Sequence, residues 1–169
     1  NLNELVQQVN GEFAERFEGR NLDLICILQP EPLLIRADSR RIWRVLENLD
    51  VNVCKYAVPG TRVYVDAIKE DGKIQFSIKN ISENPLNFQA DELTERFIRG
   101  DVSRSTEGGG LGLSIAKNLT VLQHGSFNIY LDGDLFKVTI TFDEAVKEKK
   151  PMPPMIVPEA VQEEAQQDA

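Results

Sequence analysis

The chain has 169 residues, 41% of them hydrophobic and 27% charged, with a formal net charge of −8, one histidine and two cysteines. That length suits a single domain, which buries roughly 70% of its unfolded surface and needs no disulfide or metal staple. The acidic balance disfavours a nucleic-acid binder, Cys26, Cys54 and His124 are too few for a cysteine–histidine zinc site, and no apolar run approaches the ~20 residues of a membrane span. No signal peptide opens the chain, and so few cysteines suit a reducing, cytosolic setting. Because residue 1 is Asn rather than Met, the expectation is an excised fragment; as a separate expectation, that fragment is soluble and monomeric.

Leu2, Leu5, Val6, Val9 and Phe13 recur at helical spacing and predict a first helix ending near Gly19. Leu22, Leu24 and Cys26 alternate as a short strand running up to Pro30, and residues 33–35 offer a second short strand. Asp38 or Ser39 caps a long helix to about Tyr56, which Pro59-Gly60 terminates. A hairpin follows: Val63, Val65 and Ala67, the turn Asp71-Gly72, then Ile74, Phe76 and Ile78. A polar stretch comes next, with a short helix expected over Ala90–Phe97. After the cluster Gly108, Gly109, Gly110 and Gly112, a helix runs to about Gln123 and closes at His124-Gly125. A second hairpin ends the body, Phe127–Leu131 returning through Asp132-Gly133 to Phe136, Val138, Ile140 and Phe142. The pattern predicts an α+β fold with helices layered on one face of a mainly antiparallel sheet. Residues 1–143 read as the domain and 144–169 as a Pro-rich tail, expected to be linker or disordered; it carries Pro151, Pro153, Pro154 and Pro158.

Two polar constellations stand apart from this frame. On the helix from Arg40 to Tyr56, at roughly 100° per residue, Arg41, Arg44, Asn48, Asn52 and Lys55 fall on one stripe beside the apolar Ile42, Leu46, Leu49 and Val53. Asparagine is a middling helix former, so two of them one turn apart at the edge of a buried face call for a reason. A carbamoyl oxygen can ligate Mg²⁺ while substrate phosphates supply further oxygens, and a lysine one turn on neutralises phosphate charge. Two asparagines bonding solvent is the plain alternative. The second constellation is GGGLGLSIAK at 108–117, where glycines admit a ligand to the backbone and a helix N-terminus attracts anions. It is neither a Walker loop nor a Rossmann fingerprint.

NLDVNVCKY at 48–56, LTERFIRGD at 93–101 and GGGLGL at 108–113, in that order, resemble the asparagine, phenylalanine and glycine motifs of the catalytic, ATP-binding domain of sensor histidine kinases. These belong to the Bergerat or GHKL family. The resemblance implies a two-layer α/β sandwich, the Bergerat fold, whose sheet is mixed but mostly antiparallel. It implies ATP and Mg²⁺ as cofactors, with Asn52 as the metal ligand and Asn48 binding phosphate, metal or its water. Lys55 is implied at a phosphate, Tyr56 along the nucleotide, Phe97 as lid anchor, and Arg99 at the terminal phosphate with Arg104 a weaker lid candidate. Gly108, Gly110, Leu111 and Gly112 are implied as the backbone cradle, and residues 99–109 as the lid. The implied catalytic set is Asn48, Lys55 and Arg99.

One motif departs from the family. The first glycine box, DxGxG, corresponds here to KNISENP at 79–85, with Asn80 in place of the Asp that accepts from the adenine amino group, and no glycine. An amide oxygen still accepts that hydrogen bond, without charge. His124, in QHGS, reads as a capping or packing residue and not as the phosphoacceptor. Hydrolases of the family, among them DNA gyrase, carry a water-activating glutamate one turn before the metal asparagine; that position is Asn48 here, and Glu47 points roughly 100° away. The resemblance therefore implies phosphoryl transfer from Mg-ATP to a histidine on a separate dimerisation domain, with a response regulator downstream, no nucleic-acid partner, and a cytoplasmic position in a membrane-bound parent. The alternatives are a docking module with a degenerate pocket and an anti-sigma-type serine kinase on the same fold. Asp50 is expected on the outer face of the asparagine helix.

Overall fold

The computed structural model describes residues 1–86 and 111–145. The expected helix over Ala90–Phe97, the motif at 93–101 with Phe97 and Arg99, the lid with Arg104, Gly108 and Gly110, and the tail beyond residue 145 lie outside the described residues.

Helix α1, Leu2–Gly19, buries Leu2, Val6, Val9, Phe13 and Phe17, a three-to-four-residue spacing that gives one apolar stripe. Its exit turns at Asn21, in the left-handed region at φ 53°, where the short polar side chain tolerates what a branched one does not. Strand β1, Asp23–Leu28, follows. Helix α2, Ser39–Tyr56, opens on Asp38, whose carboxylate accepts from the backbone amides of Arg40 and Arg41 at 2.9 and 3.1 Å, two donors that the first turn otherwise leaves unmet. Strands β2, Arg62–Glu70, and β3, Lys73–Ile81, form the first hairpin, turning through Asp71 and Gly72, both at positive φ, as a two-residue hairpin turn demands. Helix α3, Gly112–Val121, leads into the second hairpin, β4, Ser126–Asp132, and β5, Leu135–Asp143.

The sheet order is β1-β2-β3-β5-β4, antiparallel except where β1 lies parallel to β2. Register explains why the helices gather on one face. Cys26, Val65, Ile78, Val138 and Ile129 lie in one cross-strand row, and Leu28, Ala67, Phe76, Ile140 and Phe127 in the next. Rows of this parity carry the buried side chains of β2, β3 and β5, and the same core includes the apolar faces of all three helices. Rows of the other parity, such as Ile25, Tyr64, Lys79, Lys137 and Tyr130, point away, as a side-chain period of two requires. The expected strand at 33–35 is absent as a strand: Ile35 makes an isolated bridge to Glu144, and Leu33 is buried in the core beside α1.

The end of α3 is tightly built. His124, two residues past the C-cap Leu122, sits at φ 64° with its amide donating to the Val121 carbonyl at 3.0 Å. At Gly125 a Cβ would fall 2.6 Å from the Phe142 ring, so only glycine fits where the chain crosses the sheet end. No helix among the described residues is long and apolar enough to cross a membrane.

Candidate functional site

Helix α2 presents its polar stripe at the edge of the core. Arg41 and Arg44 are exposed, while Asn48, Asn52 and Lys55 are half-buried. The Asn48 amide nitrogen donates to the Arg44 carbonyl at 2.6 Å, which fixes the rotamer and leaves its Oδ1 turned toward α3. There the first residue of α3 meets it: a Cβ on Gly112 would lie 3.2 Å from Asn48 Oδ1 and 3.9 Å from its Cβ. Two motifs far apart in sequence thus share one edge, and glycine is what lets the helices approach so closely. Leu111 caps α3 without a side-chain bond and is more than half exposed; its carbonyl accepts from Ser114 Oγ at 2.8 Å and from the Ile115 amide. Lys55 Nζ stands 5.3 Å over the Tyr56 ring, a cation–π distance that keeps the ammonium beside the tyrosine at the end of the stripe.

The other end of the site is Asn80. It occupies the core-facing parity of β3, level with Phe136 of β5, and is buried. Its Nδ2 donates to the Ile81 carbonyl at 3.2 Å, while its Oδ1 is buried with no hydrogen-bond partner among the described residues. A buried acceptor left unmet costs about 1–3 kcal/mol, and a donor brought by a ligand would recover that. The stretch after Asn80 is fastened to α2: the Val58 amide donates to the Ile81 carbonyl at 2.9 Å, the Glu83 amide to the Tyr56 carbonyl at 2.7 Å, and Ala57 bridges Ser82. Asn80 therefore stands beside the Tyr56 end of the asparagine helix.

Asp50 corrects an expectation. It does not face outward but is 2% exposed, and its Oδ2 has no partner among the described residues. Four residues beyond Leu46, it lies on the arc of α2 that α1 packs against; burial above all, and the Asp50 charge as a lesser cause, raise the pKa of Cys54 and Cys26. Desolvation lifts Asp50 to about 7, and burial carries Cys54 to about 11, because a low-dielectric surround disfavours the charged form. Both thiols are therefore held protonated at neutral pH and are poor nucleophiles.

Arg20, at the end of α1, was not marked by any motif. Its guanidinium Nη2 donates to the Ala57 carbonyl at 2.9 Å and to Glu83 Oε2 at 3.1 Å. Nothing local in the sequence signals a contact that joins residues 20, 57 and 83. A cleft of about 410 Å³ lies elsewhere, between α1 and the start of β1, lined by Asn10, Phe17, Leu24 and Gly60, and contains none of the site residues.

Residues 37–146 match the family of histidine kinase-, DNA gyrase B- and HSP90-like ATPases. The chain belongs to this family of ATP-binding domains. Its likenesses within the family are to histidine kinases. The sensor histidine kinase RppB of Synechocystis is 29% identical over 130 residues, covering 76% of this chain and 29% of that protein. The histidine-protein kinase BaeS of Escherichia coli is 29% identical over 123 residues, covering 72% and 26%. Among solved structures, the catalytic domain of histidine kinase ThkA superposes with a TM-score of 0.73 at 26% identity, covering 85% of this chain and 93% of that one. ThkA in complex with the response regulator TrrA superposes at 0.67 and 25% identity, covering 86% and 41%. The chain thus spans under a third of the two curated relatives, and its fold is that of a histidine kinase catalytic domain, the expected two-layer α/β sandwich.

Proposed function

We propose that the chain binds Mg-ATP on the edge shared by α2, α3 and the end of β3, and passes the terminal phosphoryl group to a histidine on a separate dimerisation domain. The observation that carries the reading is the seating of Gly112 on Asn48, which joins the asparagine and glycine motifs into one polar edge ending at Asn80 Oδ1, unpartnered among the described residues.

Asn80 accepts from the exocyclic amino group of adenine, where guanine would set one acceptor against another. Tyr56 flanks the nucleotide and Lys55 meets a phosphate. Asn48 and Asn52 supply the neutral oxygens that suit Mg²⁺, which usually completes its shell with water and substrate phosphates. Bound there, Mg²⁺ supplies charge neutralisation at the phosphates. Asn48 cannot take a proton from water, so the site lacks a hydrolytic base on α2 and favours transfer to a protein acceptor over hydrolysis. Arg99, Arg104, Gly108 and Gly110 are assigned to the phosphates from their motifs. Residues 1–143 are assigned to the domain and 144–169 to its Pro-rich tail. The parent is a membrane-bound sensor kinase with this domain in the cytoplasm, and a cognate response regulator receives the phosphoryl group downstream.

Calorimetric titration of the chain with ATP, with and without Mg²⁺, tests binding. Absence of heat at millimolar nucleotide sinks the reading in favour of a docking module. Transfer of labelled phosphate to an added histidine-bearing domain, giving an acid-labile product, tests the chemistry; an acid-stable product on a serine-bearing partner would indicate the serine-kinase alternative.

A further inference from the structure

Ile81–Pro85 contains no glycine, and its shape is set by other parts of the molecule. Strand pairing holds Ile81 to Leu135, the Ser82 amide donates to the Asp134 carbonyl at 2.7 Å, and Ser82 Oγ donates to the Asn84 carbonyl at 2.9 Å. Glu83 is tied through its amide to the Tyr56 carbonyl and through its carboxylate to Arg20. One nitrogen of the same guanidinium also reaches the carbonyl of Ala57, the residue after Tyr56 and fully buried. Arg20 thus staples three places: the end of α1, the end of α2 and the segment after Asn80. It does so with its Nε buried and unpartnered among the described residues, an unmet donor that these contacts must offset.

The geometry points to Arg20, together with Glu83, as a positioning pair for the base-recognising end of the nucleotide pocket; this rests on the nucleotide reading above. Arg20 does not reach Asn80. It fixes the segment that starts one residue beyond it, including the Ile81 carbonyl side on which Asn80 Nδ2 is held, and so supports the aim of Asn80 Oδ1, an acceptor unmet among the described residues. A guanidinium can bond a carbonyl and a carboxylate at once from a rigid plane, whereas an ammonium offers a point charge on a flexible stem. The ion pair itself is partly exposed, with side chains 35% and 51% accessible, and pairs of that kind contribute little to stability. Its effect is therefore expected in aim rather than in folding.

The test displaces a ribose-labelled fluorescent ADP from the full chain with ATP, GTP or inorganic tripolyphosphate in Mg²⁺. Wild type should favour ATP over GTP. Arg20→Ala should weaken ATP by about tenfold, a loss of about 1.4 kcal/mol, and narrow the ATP-to-GTP preference, while tripolyphosphate displacement stays unchanged. Arg20→Lys should recover part of the preference. Equal weakening of ATP and tripolyphosphate would reduce Arg20 to a support of the fold and overturn the proposal, as would an unchanged ATP affinity. A wild-type chain that fails to bind the labelled ADP would overturn the nucleotide reading itself, and the pair's role with it. If Arg20→Ala melts too early to titrate, Glu83→Gln, which leaves the Ala57 bond in place, is read against the same three competitors, and an unchanged ATP-to-GTP preference there overturns the pair.

Discussion

At one end of the candidate site, Asn48, Asn52 and Lys55 share a face of α2 because residues three and four apart on a helix stand above one another. At the other end, Asn80 is aimed by a strand whose last residues are bonded to α2, to the turn before β5 and to α1. The first end needs one well-formed helix and a glycine opposite it. The second needs four elements to meet. The difference teaches that the edge proposed for the phosphates can be written in a short motif, whereas the end proposed for the base depends on the whole fold being in register.

The strongest test of this contrast acts on both ends together, through the helix they share. Asp50 holds its proton up to about pH 7 in the fold and up to about 4 in the unfolded chain. The folded state therefore binds the proton more tightly. The stability this gives is complete below about pH 4 and lost as the pH rises through 7, a difference of up to about 4 kcal/mol for a shift of about three units. Urea unfolding at pH 5 and pH 8 captures about two-thirds of it, and Asp50→Asn is expected to flatten the dependence. A wild-type stability that does not fall between these values would mean the carboxylate finds a partner on ionising.

Substitution at Asn52, the proposed metal ligand, separates the two ends. Asn52→Ala is expected to weaken ATP binding in Mg²⁺ by about a hundredfold, in line with loss of a metal ligand or its support, with the circular dichroism spectrum unchanged. Chelation of wild type should bring its affinity to the same level. A variant that binds ATP in Mg²⁺ at the wild-type affinity, and still loses that affinity on chelation, would remove Asn52 from the metal. At the base end, Asn80→Leu should cost ATP about tenfold, the order expected for one lost hydrogen bond in a buried site, and leave tripolyphosphate untouched. A matching loss for both competitors would show that the two ends are not independent. The smallest effect belongs to Gly112→Ala. Its new Cβ stands 3.2 Å from Asn48 Oδ1, the far end of a side chain that can give way by a few tenths of an ångström. An affinity loss of about threefold is expected, about 0.6 kcal/mol, read by the same titration.

Much of this was legible in the chain. Helical spacing gave α1 and α2 nearly to the residue, alternation gave both hairpins, and the glycines gave the start of α3, because each of these signals is local and repeated. The polar stripe of α2 was legible for the same reason. What failed was the side of α2 on which Asp50 lies: periodicity gives relative angles between residues, and only the packing of α1 against the helix decides how wide its buried arc is. The short strand at 33–35 failed because a strand exists only where a partner edge is free to pair, and there Ile35 finds a single residue, Glu144.

By itself, the sequence determined α1, α2, both hairpins and the polar stripe of α2, since these follow from backbone periodicity and side-chain type. Only the tertiary structure decided that Gly112 rests on Asn48, that Asn80 keeps an acceptor unmet among the described residues, and that Arg20 ties the segment after it in place. Those contacts join residues tens of positions apart, and no local pattern records them, because they exist only once the sheet has brought its strand ends to the same edge as the helices.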